Sequence, residues 1–358
     1  MKIKRAIIGE DYLLANAGTA GMSDSQLVVR KDILESDKAD DYESIPCICG
    51  DEKDDVLLSE VERHGLPYNK LICMKCGLLR VSPRWKQNRY DSFYEHQYRG
   101  LYNPVKTSKE EHVKALSKHA YVKEIANWIQ NSQKKFGQPG YPRVLEIGAG
   151  GGWILQNLPA EWTRTGFDVD DEYLALGKRL FKLEMKYGLL EEASLEIGNN
   201  DIIVLSHVVE HFLDPVAALK LICKGMAEKS LLLIEVPGIF RIHRTNLHPM
   251  TYMQNAHTFT FCASTLKYVC LMAGLKILAI DETCRAVCVK EFEKVQSRPV
   301  TENRNIASFI IDYLIRCDKF YKKYSPLKNV KFLSPVAYLY KRLFIAEMKK
   351  DLSKNDVD

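Results

Sequence analysis

The sequence predicts a doubly wound α/β domain, a parallel sheet with helices on both faces, flanked by two smaller segments of different composition. Three observations carry this. From Arg143 the chain alternates short apolar runs with helical stretches, two close cysteine pairs precede that region, and beyond about residue 290 basic and aromatic residues recur at helical spacing. With 358 residues, 46% of them hydrophobic, there is room for such a domain and one or two smaller units.

In order along the chain, residues 1–44 show no clear period and end in the charged run ESDKADDYES, so a tail or loosely attached strand is expected. Residues 45–85 hold Cys47 and Cys49 as C-x-C and Cys73 and Cys76 as C-x-x-C, each pair followed by glycine. Residues 86–139 are a tyrosine-rich linker (Tyr90, Tyr94, Tyr98, Tyr102) and a helix in which Val113, Leu116, Ile125, Trp128 and Ile129 fall near helical spacing behind a Ser108/Glu111 capping box. Residues 140–292 form the α/β domain. Strands are expected at RVLEI, RTGFD, LEMK, DIIVLS and LLLIEV, with helices at WILQNL, DEYLALGKRLF and PVAALKLICKGM. STLKYVCLMAG then leads to a closing hairpin, LKILAID and CRAVCVKEF, and residues 293–358 are a basic, helical segment.

Composition narrows the function. The longest apolar runs fall short of the roughly 18 to 20 residues of a membrane span, and the first residues lack the apolar stretch of a signal peptide. A cytoplasmic location follows as an expectation, in which ten cysteines read as thiols or metal ligands. A net charge of +5 with no basic stripe argues against nucleic acid as partner. The basic carboxyl-terminal helices are expected to pack on their own domain, with peripheral contact to a membrane surface as the other reading.

The turn RVLEIGAGGGWIL sets four glycines within residues 148–152 after a strand. A dinucleotide fingerprint needs a third small residue, but counting from Gly148 that place falls on Trp153, and from Gly150 on Leu155. What fits is E-x-G-x-G-x-G, with Glu146, Gly148, Gly150 and Gly152 in register and Asp168 closing the next strand. This resembles motif I of the class I S-adenosylmethionine-dependent methyltransferases. The resemblance runs through DIIVLSHVVEHFLDP and LLIEVPG, over roughly residues 141–290. It implies a Rossmann-like sheet with S-adenosylmethionine at the strand ends, held by Glu146, the three glycines, Asp168, Ser206 and His207. The carboxylate of Asp168 would accept both ribose hydroxyls. Gly188 and Leu189 stand where many relatives place an acidic residue toward the adenine amino group.

Four thiolates in two close pairs suit one tetrahedral zinc, closed to water and therefore structural. Free core cysteines or a redox pair are the competing readings. The knuckle, GLLRVSPRW and FYEHQY together resemble the zinc-binding segment ahead of the methyltransferase domain in sugar-tailoring enzymes. Cys223, Cys262, Cys270, Cys284, Cys288 and Cys317 lack such spacing and read as core.

Methyl transfer needs a group to take the acceptor's proton, and histidine suits that near neutral pH. His207 and His211 follow the fourth strand of the sheet; His257 lies after the fifth, as do His243 and His248. His257 and His211 are the leading candidates, with His207 third. Ala256 occupies the place where the sugar carbon-methyltransferases carry a glutamate, so oxygen methylation is expected over carbon. The expected activity is methylation of a sugar hydroxyl on a nucleotide sugar or surface-polysaccharide precursor. Methylation of another small metabolite, and a non-catalytic zinc-containing binding protein, are the alternatives.

Overall fold

The computed structural model describes residues 8, 21–51, 53–102, 107–244, 248–291, 304–328 and 334–354. The first part of the chain holds α1 (Asp24–Ser36), β1 (Tyr42–Glu43), β2 (Asp55–Val61), β3 (Pro67–Cys73), β4 (Leu79–Val81), β5 (Arg84–Trp85), α2 (Gln87–His96) and α3 (Tyr98–Tyr102). Next come α4 (Lys109–Lys118), α5 (Ala120–Phe136), β6 (Arg143–Ile147), β7 (Thr163–Asp168), α6 (Asp171–Phe181), β8 (Glu184–Tyr187), α7 (Leu190–Ser194), β9 (Ile202–Ser206), α8 (Pro215–Gly225) and β10 (Leu231–Glu235). The remainder is β11 (Phe259–Thr260), α9 (Ala263–Met272), β12 (Leu275–Ile280), β13 (Arg285–Lys290), α10 (Arg304–Lys328) and α11 (Ser334–Lys354). These elements divide into two compact units. One comprises Met1–Pro104, Pro237–Thr265 and Pro299–Asp358, the other Val105–Val236 and Leu266–Arg298.

The second unit is built on a seven-stranded sheet of order β12-β13-β10-β9-β6-β7-β8. Strands β8, β7, β6, β9 and β10 run parallel, and β13 pairs antiparallel with both β10 and β12, the expected doubly wound sheet with its closing hairpin. Apolar residues fill β9 and β10 because helices cover both faces. Val144, Ile202, Val204, Leu231 and Leu233 pack with Val122, Ile125 and Ile129 of α5, each such side chain contributing about 1.5 to 3 kcal/mol by leaving water. Chain order reverses between β6 and β9, so the crevice where such sheets take ligands opens at their carboxyl ends.

Two local expectations in this unit are corrected. WILQNL forms a single 3-10 turn, Leu155–Asn157, and no α-helix. Between the left-handed Gly152 (φ 72°) and Pro159 there are too few residues to offset helix nucleation, and proline bars its preceding residue from helical geometry. The helix expected from Ser108 is two, broken at His119. His119 is extended, ends α4, and its Nδ1 accepts the Tyr121 N–H at 3.2 Å as the cap of α5. The capping box at Ser108 and Glu111 forms as expected.

The first unit has an antiparallel sheet, β11-β4-β3-β2, and a two-stranded ribbon of β1 with β5. Its core sets Leu58, Ile72, Leu79 and Val81 against Phe240, Ile306, Ile310 and Leu314. Residues 24–36, expected in a tail, are the helix α1. A reciprocal Ser23/Gln26 box starts it, Ile33 is buried, and Gln26 Nε2 donates to Leu101 O at 2.7 Å. Residues 237–265, expected within the sheet domain, belong to this first unit, because β11 pairs with β4 and Gly238 bridges to Phe261. The carboxyl-terminal segment is helical as expected, in α10 and α11. Among the described residues no helix is long and apolar enough to cross a membrane.

Candidate active site

At the end of β6 the chain must leave the sheet at once. Gly148 does so with φ 76°, and a Cβ there would come within 2.5 Å of Val208 Cγ2, so both backbone and space demand glycine. The Gly148 and Ala149 N–H groups donate to Phe167 O at 2.8 and 2.9 Å, and the Gly152 N–H donates to Ala149 O at 2.9 Å. Glu146 lies beneath this turn, buried. Its Oε2 has no hydrogen-bond partner among the described residues, and burial first, then the nearby charge of Asp168, holds its carboxyl well above the usual range.

Asp168 ends β7 half-buried, with Oδ2 accepting the Gly150 N–H at 2.7 Å and Oδ1 accepting the Asp170 N–H at 3.0 Å. Each oxygen of a carboxylate can accept about two hydrogen bonds. An anionic pair of acceptors therefore stands beside the glycine turn. Alongside it, the exposed Tyr187 pairs in register with Asp168, and Leu189 is exposed two residues on. Glu192 Oε2 accepts the Leu189 N–H at 2.8 Å and so starts α7.

Across the switch point, β9 and β10 deliver a cluster only partly foreseen. Ser206 Oγ donates to Glu235 Oε2 at 3.0 Å, and Glu235 is 0% exposed. Tyr121, from α5, donates its hydroxyl to Glu235 Oε1. His207, with the uncommon φ of 57°, puts Nε2 at 3.1 Å from the Tyr121 hydroxyl and 3.3 Å from Glu235 Oε2, while Nδ1 lies 3.4 Å from Glu210 Oε1. Both ring nitrogens thus face protein groups, which weakens His207 as a group free to take a proton from an acceptor. His211 Nε2 stands 3.8 Å from the same Glu210 oxygen. Tyr121, Glu210 and Glu235 were missed. Glu235 ends an apolar run, the one signal the sequence offered.

His257 belongs to the first unit, with the cysteine pairs, whereas the glycine turn, Asp168, His207 and His211 belong to the second. It is 7% exposed, and the Gln254 amide donates to its Nδ1 at 3.0 Å. Neither of the other histidines of that segment is poised for chemistry. His243 Nδ1 lies 3.0 Å from the Tyr313 hydroxyl, and His248 stacks on Tyr321 with ring centres 4.0 Å apart. Both serve to seat α10.

The four thiols of Cys47, Cys49, Cys73 and Cys76 converge within 4.8 Å of one another. Cys47 Sγ is 3.5 Å from Cys76 Sγ, and Cys49 Sγ is 3.7 Å from Cys73 Sγ. A sulfur tetrahedron around zinc, with bonds of about 2.3 Å, has edges of roughly 3.8 Å, so the donor set and its spacing fit that ion. Each pair turns through a left-handed glycine, Gly50 and Gly77, whose N–H donates back to Cys47 O and Cys73 O at 2.8 Å. The C-x-C pair therefore closes much as the longer one does. Among the described cysteines, Cys223, Cys262, Cys270, Cys284, Cys288 and Cys317 are buried, as expected of core residues.

A glycine turn thus stands at the switch point of a doubly wound sheet, with a carboxylate at the end of the next strand. Residues 110–280 match the family model described as a methyltransferase domain, and the chain is an S-adenosylmethionine-dependent methyltransferase. No curated protein matches it. Similar solved structures include magnesium protoporphyrin IX methyltransferase from Synechocystis with SAH bound, at 10% identity over 57% of this chain and 100% of that one, TM-score 0.41. Another is DesVI of Streptomyces venezuelae, at 11% identity over 52% of this chain and 100% of that one, TM-score 0.40. The carbon methyltransferase CurJ matches at 16% identity over 55% of this chain and 61% of that one, TM-score 0.40.

Proposed function

We propose that the chain transfers the methyl group of S-adenosylmethionine to a hydroxyl of a sugar, carried on a nucleotide or a surface-polysaccharide precursor. The observation that carries this reading is the joining of the four-thiol cluster to the His257 turn, through β3, β4 and β11, in one unit of a chain whose other unit holds the methyltransferase sheet. That arrangement supports the resemblance to sugar-tailoring enzymes. Glu146 and the glycines shape the cofactor's bed, Asp168 takes the ribose hydroxyls, and Ser206 and His207 border its methionine end. Tyr187 and Leu189 offer apolar cover for adenine where an acidic contact is missing. The cofactor supplies an electrophilic methyl carbon on sulfonium. With the cofactor bound, His257, with His211 as second candidate, would take the proton of the acceptor hydroxyl. Purified protein with labelled cofactor and a panel of nucleotide sugars is the test. An oxygen-methylated sugar is expected; a carbon-methylated one, or transfer only to another metabolite class, overturns the substrate.

One structural zinc is assigned to Cys47, Cys49, Cys73 and Cys76, because a closed thiolate site couples metal binding to folding. Metal analysis is expected to find one zinc per chain, lost on joint Cys73→Ser and Cys76→Ser substitution. Zinc retained by that double variant would remove the assignment.

Peripheral membrane contact remains a reading for α11, whose inner side packs as expected, with Met348 and Leu352 buried and Phe344 stacked on Phe320. Outward it exposes Tyr338, Leu339 and Leu343 beside Arg342, Lys349 and Lys350. The acids of this helix turn to α10, where Arg316 bonds Glu347 at 2.7 Å and Asp351 at 2.8 Å. An apolar stripe edged with cations suits an anionic lipid surface. Flotation with phosphatidylglycerol vesicles is expected, weakened by salt and abolished by Leu339→Glu with Leu343→Glu; equal flotation of that variant would dismiss it.

A further inference from the structure

Lys70 lies midway along β3 and is 0% exposed. No carboxylate pairs with it among the described residues. Its amine donates to the carbonyl oxygen of His257 at 3.1 Å. Burial pushes the amine well below its ordinary range. Sinking an amine into a sheet interior is costly, and a leucine or methionine would fill the volume without that cost.

The same short turn is gripped from other sides. The Tyr90 hydroxyl donates to Asn255 O at 3.0 Å, and the Tyr94 hydroxyl donates to Ala256 O at 3.3 Å. The Tyr102 hydroxyl accepts the Asn255 N–H at 2.9 Å and donates to Glu62 Oε2 at 3.0 Å. From β4 the Val81 N–H donates to Thr258 O at 2.9 Å. Four successive residues, 255 to 258, thus have backbone groups bonded by side chains or strands from elsewhere in the unit. Tyr90 and Tyr102 are themselves buried and anchor this backbone.

We propose that Lys70, with Tyr90, Tyr94 and Tyr102, is a positioning residue that fixes the 255–258 turn and thereby holds the His257 imidazole in one orientation before any acceptor arrives. This rests on the reading of His257 as proton acceptor, but the positioning itself can be measured without turnover. A turn of this length has no regular structure to stiffen it, so orientation of its histidine must come from bonds to neighbours. Preset orientation matters because a proton acceptor displaced by about an ångström loses much of its effect.

The decisive experiment is hydrogen exchange on Lys70→Met in the full chain. Losing one buried hydrogen bond, worth about 1 kcal/mol, should raise local exchange at residues 254–258 roughly fivefold to tenfold while the β6–β7 core stays protected. The His257 ring signal in NMR, assigned with His257→Ala, should change from one sharp resonance to broadened or multiple ones. Lys70→Gln, which restores a donor, should recover part of the protection. Unchanged exchange and an unchanged ring signal in Lys70→Met overturn the proposal. If Lys70→Met fails to fold, Tyr94→Phe gives the same reading at Ala256 and His257 by deleting one hydroxyl, and no local change there overturns it equally. Normal turnover by His257→Ala alongside a loosened Lys70→Met turn would discard the proton-acceptor reading and keep the positioning.

Discussion

Asp168→Ala is expected to weaken S-adenosylmethionine binding by roughly 2 to 4 kcal/mol, about 30-fold to 1,000-fold, as measured by calorimetry. The carboxylate already accepts the Gly150 and Asp170 N–H groups, one on each oxygen. Two ribose hydroxyls would bond this carboxylate, and hydrogen bonds to a charged acceptor are the stronger kind. Removing it therefore costs the ligand contacts and also frees the Gly150 N–H at the centre of the turn. Asp168→Asn separates the two effects. Its amide oxygen can still accept from Gly150 but carries no charge, so the turn should hold while affinity falls by an intermediate amount. Thermal unfolding of the cofactor-free variants reads the turn alone. Binding as tight as the parent's in Asp168→Ala would show that the ribose is held elsewhere.

The sheet could be read from the sequence because its strands are buried on both faces and so appear as apolar runs, as in IIVLS and LLLIE. The helices between them carry caps or a clear apolar stripe; α6 runs over the expected Asp171–Phe181. α1 was hidden for the opposite reason. It buries Gln26 and Ile33 while exposing Leu27, Val28 and Leu34, so no apolar period marks it, and the Ser23/Gln26 box is its one local signal. At the site, Glu146, the glycines and Asp168 were legible because a turn at a strand end imposes residue types at fixed spacing. Tyr121 was not, since it meets His207 from 86 positions away through the packing of α5. The unit to which His257 belongs was equally hidden. It depends on β11, two residues long, pairing with β4, and two residues carry no period.

His257→Ala is expected to slow methyl transfer by about 10² to 10⁴, because a general base acts only in the transition state. Cofactor affinity should stay within about threefold, since the glycine turn and Asp168 lie in the other unit. The three histidines differ in their surroundings, and both ring nitrogens of His257 face the Gln254 amide. His207 has Tyr121 and Glu235 at one nitrogen and Glu210 at the other, so taking a further proton there competes with bonds already made. His211 has Glu210 at 3.8 Å from Nε2. His257 sits on a backbone fixed by Lys70 and the tyrosines, the preset geometry that proton transfer rewards. His257→Gln keeps size and polarity but has no basic nitrogen, so it should lose as much rate as the alanine while matching the parent in thermal stability. If the glutamine variant turns over normally, the imidazole takes no proton. An equal loss in His211→Ala with none in His257→Ala would move the role to the histidine beside β9, and normal rates in both would leave methyl transfer here to positioning alone.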